Sequence, residues 1–169
     1  YLIIYILVTA LSIPVASYMT ILGGLLFGQI MGTVIVLIAA TIGATIFFLI
    51  FRYSSNYLSK KINNSYLNRM RNGFEKNSFS YLLFLRLFPV FPFFMVNIVS
   101  AIMNVKLSHY FIATFIGMIP MTYFYCSLGA SANFLINNNF TFSYSFLFSI
   151  HFLIPFSCIF MIMLISFIF

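Results

Sequence analysis

The sequence predicts an all-α, polytopic membrane protein. Two observations carry that class and a third shapes it. Of 169 residues, 63% are hydrophobic and only 5% are charged, whereas a water-soluble domain carries roughly a quarter of its residues charged. Residues 1–51 contain no charged side chain, and as one helix they would run about 76 Å, more than twice the hydrocarbon thickness. The chain must therefore fold back inside the apolar layer. The third observation is the stretch from Leu85 to Asn97, where Arg86, Pro89, Pro92 and Asn97 interrupt an otherwise apolar run. Each interruption is costly in lipid unless protein or water covers it, and each proline breaks the helical ladder. The run reads as a re-entrant segment that turns at the prolines and returns to its own side.

In chain order, residues 1–13 read as the end of a helix, residues 14–30 as a dipping element opened by Pro14, and residues 31–51 as a full crossing. Gly24, Gly28 and Gly32 fall four apart on one helical face, joined by Gly23, and Ala40 and Ala44 extend the small-residue pattern. Tight helix packing is the simplest reading. The chain opens at Tyr1 without a methionine. It reads as part of a longer protein, so a missing targeting segment carries no information.

Residues 52–76 differ in kind, holding Arg52, Lys60, Lys61, Arg69, Arg71 and Lys76 among the chain's eight cations. Leu58, Ile62, Tyr66, Met70 and Phe74 recur every four residues. The pattern predicts a basic amphipathic helix on the membrane surface, with an interfacial loop as the alternative. The positive-inside bias places it on the cytoplasmic side or its equivalent. A re-entrant run before Lys106 returns that lysine to the same side, whereas a crossing would place it opposite.

Residues 107–132 form a second charge-free run long enough to cross. Gly117 and Pro120 predict a kink in it and Gly129 its end, with Asn133, Asn137, Asn138 and Asn139 as a polar turn beyond. Residues 140–169 read as a final transmembrane helix bent at Pro155, with His151 packed or interfacial. The whole chain is read as one membrane domain.

Net charge is +7 and Glu75 is the only acid. Cations beside membrane segments favour an anionic lipid surface over nucleic acid. Cys126 and Cys158 lie in apolar runs, as inert thiols do. No paired carboxylate, metal-ligand spacing or Ser/His arrangement is present, so neither an enzyme, a metal nor a cofactor is expected. A homo-oligomer is compatible with the sequence.

Arg86-Leu87-Phe88-Pro89-Val90-Phe91-Pro92, then Asn97, then Gly117 to Pro120, resembles the signature of the DedA superfamily, also called the VTT or SNARE-associated domain. Pro14-Val15-Ala16-Ser17, followed by Gly23, Gly24 and Gly28, is similar to that family's first re-entrant motif. The likeness covers residues 13–130, and the Pro-x-x-Pro spacing resembles a branch typified by a yeast Golgi-associated member. It implies two re-entrant hairpins entering from opposite faces and meeting near the midplane. It also implies movement of phospholipid or polyprenyl-phosphate between leaflets, in a bacterial plasma membrane or a eukaryotic endomembrane. Proton-coupled members carry a glutamate where this chain has Ser17, and many place a second arginine where it has Pro92. The expectation therefore moves to passive, scramblase-like translocation.

Two roles stand for Arg86: a bidentate fork for lipid phosphate, with Asn97 beside it, or a donor to carbonyls freed by the broken helix. Asn97 fits the structural role more readily. The alternative to transport is a structural or trafficking protein that organises lipids or partners.

Overall fold

A computed structural model describes residues 1–58, 65–87 and 92–138. The described residues form six helices: α1 (Leu2–Ala10), α2 (Ala16–Phe27), α3 (Gln29–Leu58), α4 (Ser65–Leu87), α5 (Phe93–Ile102) and α6 (Leu107–Asn138). Two carry stretches long and apolar enough to span a bilayer, Gln29–Ser54 in α3 and Leu107–Ala132 in α6.

These two helices run antiparallel. Gln29 Nε2 donates to Ser127 Oγ at 2.8 Å, the Tyr110 hydroxyl lies 3.1 Å from the Ala44 carbonyl, and Arg52 Nη1 donates to the Val105 carbonyl at 3.1 Å. The three contacts advance along α3 while they retreat along α6. The last contact also brings Arg52 and the residue before Lys106 together, so both cations occupy one end of the bundle.

The remaining helices pair from opposite ends, with α1, α2 and α5 short and α4 broken at Asn77. α1 lies parallel to α3, with Thr9 against Gly43 and Tyr5 packed with Val36, Ala39 and Ala40. It reaches the middle of α3, bends over residues 11–15, and α2 returns alongside it. Tyr5 and Thr20 share a 2.8 Å hydroxyl contact, and the Tyr1 hydroxyl donates to the Met19 carbonyl. The bend needs unusual backbone: Ser12 has φ 53°, and Pro14 cannot extend a helix from behind.

The second pair comes from the Arg52 end. α4 contains a break at Asn77 (φ −155°, ψ 89°), and the Asn77 side chain accepts from the Ser80 backbone N–H at 3.2 Å, capping the helix that follows. Residues 78–87 then run inward, from Ser78 against His109 (2.8 Å) to Arg86 against Thr114 (3.3 Å). After Pro92, which adopts φ −55° and ψ 136° at the N-cap, α5 returns to the turn at Val105. The two tips touch where Asn97 Nδ2 faces Ser12 Oγ at 3.4 Å.

Close approach sets the packing of α2 on its neighbours. A Cβ on Gly24 would overlap the Cys126 backbone, and one on Gly129 would overlap the Ile21 carbonyl. Small residues at both positions let the α2 and α6 backbones meet directly.

Several expectations are corrected by these contacts. Residues 14–30, read as one dipping element, hold the bend after α1 with Pro14 in it, the whole of α2 and the start of α3. The crossing read over residues 31–51 belongs to a longer helix, α3. Gly24, Gly28 and Gly32 do not share one helical face, because Gly28 (φ 78°) separates α2 from α3. Gly129 does not end α6, which continues through Pro120 and Gly129 to Asn138. Asn133, Asn137 and Asn138 therefore belong to that helix and form no turn. Of the basic segment, residues 52–58 finish α3 and residues 65–76 open α4, and residues 59–64 between them lie outside the described residues. Lys60, Lys61, Pro89, Asn139 and the helix read over residues 140–169, with His151, Pro155 and Cys158, lie outside the described residues.

This topology makes two checkable statements. In a chain cleared of Cys126 and Cys158, single cysteines at Lys106 and Asn138 react with an impermeant thiol reagent from opposite sides of sealed vesicles. Labelling of both from one side contradicts the arrangement. Gly129→Ala costs about 1–3 kcal/mol by overpacking, read as earlier thermal unfolding in detergent.

Candidate functional site

Arg86 is where the two short-helix pairs converge. The capped helix of residues 78–87 turns this side chain toward α6, where Gly117 leaves room for its stem: a Cβ on Gly117 would stand 2.6 Å from Arg86 Cβ. Thr114 and Tyr110 lie on the same face of α6, three and seven residues earlier, and reach the guanidinium together.

The guanidinium is almost fully engaged. Nε donates to Thr114 Oγ1 at 3.3 Å, and Nη2 donates to Asn97 Oδ1 at 2.5 Å and to the Tyr110 hydroxyl at 2.9 Å. The Tyr110 hydroxyl also faces Asn97 Oδ1 at 2.7 Å and the Ala44 carbonyl at 3.1 Å, and its one proton serves one of them at a time. Phe48 stacks on the Tyr110 ring at 4.2 Å and holds it upright. The Phe93 and Tyr110 rings lie 4.7 and 5.4 Å from Arg86 Cζ. Such ring contacts stabilise a desolvated cation by about 2 kcal/mol.

Two deficits remain. Nη1 is buried and has no hydrogen-bond partner among the described residues. No carboxylate is among the described partners of Arg86, although the residue is only 8% exposed. Aromatic faces and hydroxyl dipoles soften that burial without neutralising the charge. The free nitrogen belongs to a side chain lining a cavity of about 260 Å³. Its walls include Tyr5, Ser17 and Thr20 from the first pair, Pro92 and Phe93 from the second, and Tyr125 from α6. An uncompensated cation in a mainly apolar cavity edged by hydroxyls can hold an anion.

The expected site residues separate into groups. Arg86, Ser17 and Pro92 meet at the cavity. Asn97 is fully buried behind Arg86 and ties it to Ser12 and Tyr110. Gly117 supports Arg86 from α6. Gly23 and Gly24 pack helices, Gly28 separates two, Pro14 sits in a bend and Pro120 within α6. Arg52 is tied to the Val105 carbonyl and lies over the Phe48 ring. The side chains of Arg69, Arg71 and Lys76 lie outside those described. The guanidinium also differs from the expected open fork. Nε and Nη2 are taken by side chains and Nη1 alone is spare, and none of its described hydrogen bonds goes to a backbone carbonyl.

Tyr110 and Thr114 escaped the sequence reading. Their signal is a polar, polar, glycine series at positions 110, 114 and 117, one helical face of an apolar span.

Six described helices packed around a buried cation, two of them long and apolar enough to span a bilayer, define an all-helical fold of membrane-protein type. The chain belongs to the VTT-domain family, which matches residues 13–131. It is similar to two proteins named transmembrane protein 41 homolog. The one from Caenorhabditis elegans is 32% identical over 66 residues, covering 39% of this chain and 27% of the relative. The one from Dictyostelium discoideum is 29% identical over 124 residues, covering 72% of this chain and 37% of the relative. The matched part of the chain thus spans about a third of those relatives' length. No solved structure matches. The expected family is borne out; the yeast Golgi-associated branch rests on the Pro-x-x-Pro spacing alone.

The network makes Tyr110→Phe informative. It removes one acceptor from a buried guanidinium while keeping the ring on Phe48, and costs about 1–3 kcal/mol. Thermal unfolding in detergent reads that loss. An unchanged midpoint would show that the hydroxyl does not hold Arg86.

Proposed function

We propose that this membrane protein moves lipid between leaflets by a passive, scramblase-like route, with the cavity at Arg86 receiving the headgroup phosphate. The observation that carries the proposal is the buried Nη1 of Arg86, which has neither a hydrogen-bond partner nor a carboxylate beside it among the described residues and belongs to a side chain lining the cavity where the two helix pairs meet. Helices of 9, 12 and 10 residues in α1, α2 and α5 rise about 14–18 Å, roughly half the hydrocarbon layer. That length suits two re-entrant hairpins opposed across the midplane. Opposed broken helices of this kind build midplane binding sites in inverted-repeat transporters.

The passive mechanism follows from composition. Glu75 is the only acid in the chain, so the cavity has no carboxylate relay for protons. Arg86 attracts phosphate through Nη1, and the hydroxyls around it replace headgroup water. The cations of residues 52–76 gather anionic lipid at one surface at up to about 1 kcal/mol each. In this reading the chain catalyses no covalent reaction, requires no cofactor and binds no nucleic acid.

One observation favours the second reading, a structural or trafficking protein without transport. Arg86 already spends Nε and Nη2 on Thr114, Asn97 and Tyr110, so part of its role is to knit helices together.

Fluorescent-lipid scrambling in liposomes separates the two. The chain accelerates flip-flop, and Arg86→Lys loses most of that activity, because one ammonium cannot satisfy three side chains and also present a free donor. Normal transport by Arg86→Lys would sink the phosphate role. No transport by the unaltered chain, folded and inserted, would favour the structural reading.

A further inference from the structure

We propose that the second helix pair, residues 78–87 together with α5, is a moving part, released from α6 when a phosphate takes over Arg86. The inference rests on the lipid-translocation reading and adds its conformational step. It follows from how the two ends of the pair are held.

The outer ends are finished by local bonds. Asn77 caps the first helix through the Ser80 N–H. At the end of α5 the Asn104 N–H donates to the Ala101 carbonyl and the Val105 N–H to the Ser100 carbonyl, with Asn104 at φ 52°. This is a Schellman arrangement, which satisfies the last carbonyls of α5 from within the turn. An end capped in this way can pivot on the residues beyond it without losing a helical hydrogen bond. Both joints lie at the Arg52 end of the bundle, where Arg52 holds the Val105 carbonyl and His109 meets Ser78. The bond from Arg86 to Asn97 ties the two helices to each other, so they move together.

The inner end is held by contacts that a phosphate can replace. Arg86 reaches Thr114 at 3.3 Å and Tyr110 at 2.9 Å, while Asn97 reaches Tyr110 at 2.7 Å and Ser12 at 3.4 Å. The first and last of these are longer than the usual range. With the pair seated, Nη1 alone is spare. Leaving Tyr110 frees a proton on Nη2 as well, and Nη1 with Nη2 then presents the planar fork that phosphate takes bidentately. Asn97 keeps the other Nη2 proton and travels with it. Phosphate therefore binds the released pair more tightly than the seated one, and that difference shifts the equilibrium.

Ser100, on α5, is fully buried while the pair is seated, so its exposure reports release. The test measures the rate at which Ser100→Cys reacts with N-ethylmaleimide, in the full, detergent-solubilised chain lacking Cys126 and Cys158. A chain keeping Cys126 as its one thiol, also fully buried, reports general loosening. Dihexanoyl phosphatidylcholine, which brings a phosphate, speeds the Ser100→Cys reaction by about tenfold or more. Dihexanoylglycerol, which brings none, leaves it unchanged, and Cys126 responds to neither. Arg86→Gln removes the response. Thr114→Val weakens the latch while keeping the shape, and raises the rate before any lipid is added. This second variant keeps the test decisive where Arg86→Gln fails to fold. Equal rates with the two lipids, in a chain that scrambles lipid, overturn the moving pair and leave translocation standing. Cys126 accelerating in step with Ser100→Cys also overturns it, as does an unaltered rate in Thr114→Val. Inorganic phosphate acting as strongly as the lipid contradicts a lipid source. A chain that neither responds nor scrambles contradicts the translocation reading as well.

Discussion

A guanidinium buried without a carboxylate is the constraint on which the rest of this structure depends. Leaving such a group bare in an apolar layer is prohibitive, so three elements of the fold converge to cover it. α6 contributes Thr114 and Tyr110, α5 contributes Asn97, and α3 contributes the Phe48 ring that fixes Tyr110. The first helix pair joins through Ser12, which faces the other side of the Asn97 amide. Four parts of the chain, distant in sequence, are registered on one side chain. What they do not supply is a negative charge, and that omission turns a structural hub into a candidate anion site.

Two long helices make that convergence possible. α3 and α6 run antiparallel and provide a frame whose middle lies near Ala44 and Tyr110. Each short pair is anchored to the frame at one end and reaches only to its middle. Direct backbone contact at Gly24 and Gly129 seats α2 against α6, while Gly117 lets the Arg86 stem lie flat on it. Bulk at any of these positions separates helices that the buried polar network needs close together. Packing and electrostatics are therefore coupled: the small residues set the distances over which the hydrogen bonds are made.

Much of this was legible in the sequence, for physical reasons. An arginine, two prolines and an asparagine in an apolar run are each too costly to be incidental, and Arg86, Pro92 and Asn97 all lie at or beside the cavity. Both spans follow from charge-free length alone. The registers of short elements were harder to read. Gly24, Gly28 and Gly32 keep helical spacing, yet a glycine can continue a helix or break it, and only the positive φ at Gly28 shows which occurred. Asn77 and Ser78 are equally good N-cap candidates, and the sequence does not choose between them. Tyr110 and Thr114 stayed hidden because a tyrosine and a threonine are ordinary in a membrane helix until a buried cation is placed beside them. The same holds for Ser12, whose role depends wholly on where the second helix pair ends.

The central claim is that the tips of two opposed helix pairs meet at the arginine, and proximity of Ser12 to Asn97 tests it most directly. Cysteines replace both residues in a chain lacking Cys126 and Cys158. The shortest bifunctional methanethiosulfonate is then applied to the protein in membranes, and cleavage between the two sites reveals whether the fragments stay joined. A second pair, at Ser78 and His109, which face each other across 2.8 Å, reports reagent access. The account predicts that both pairs cross-link. Cross-linking at Ser78 and His109 with none at Ser12 and Asn97 would contradict it.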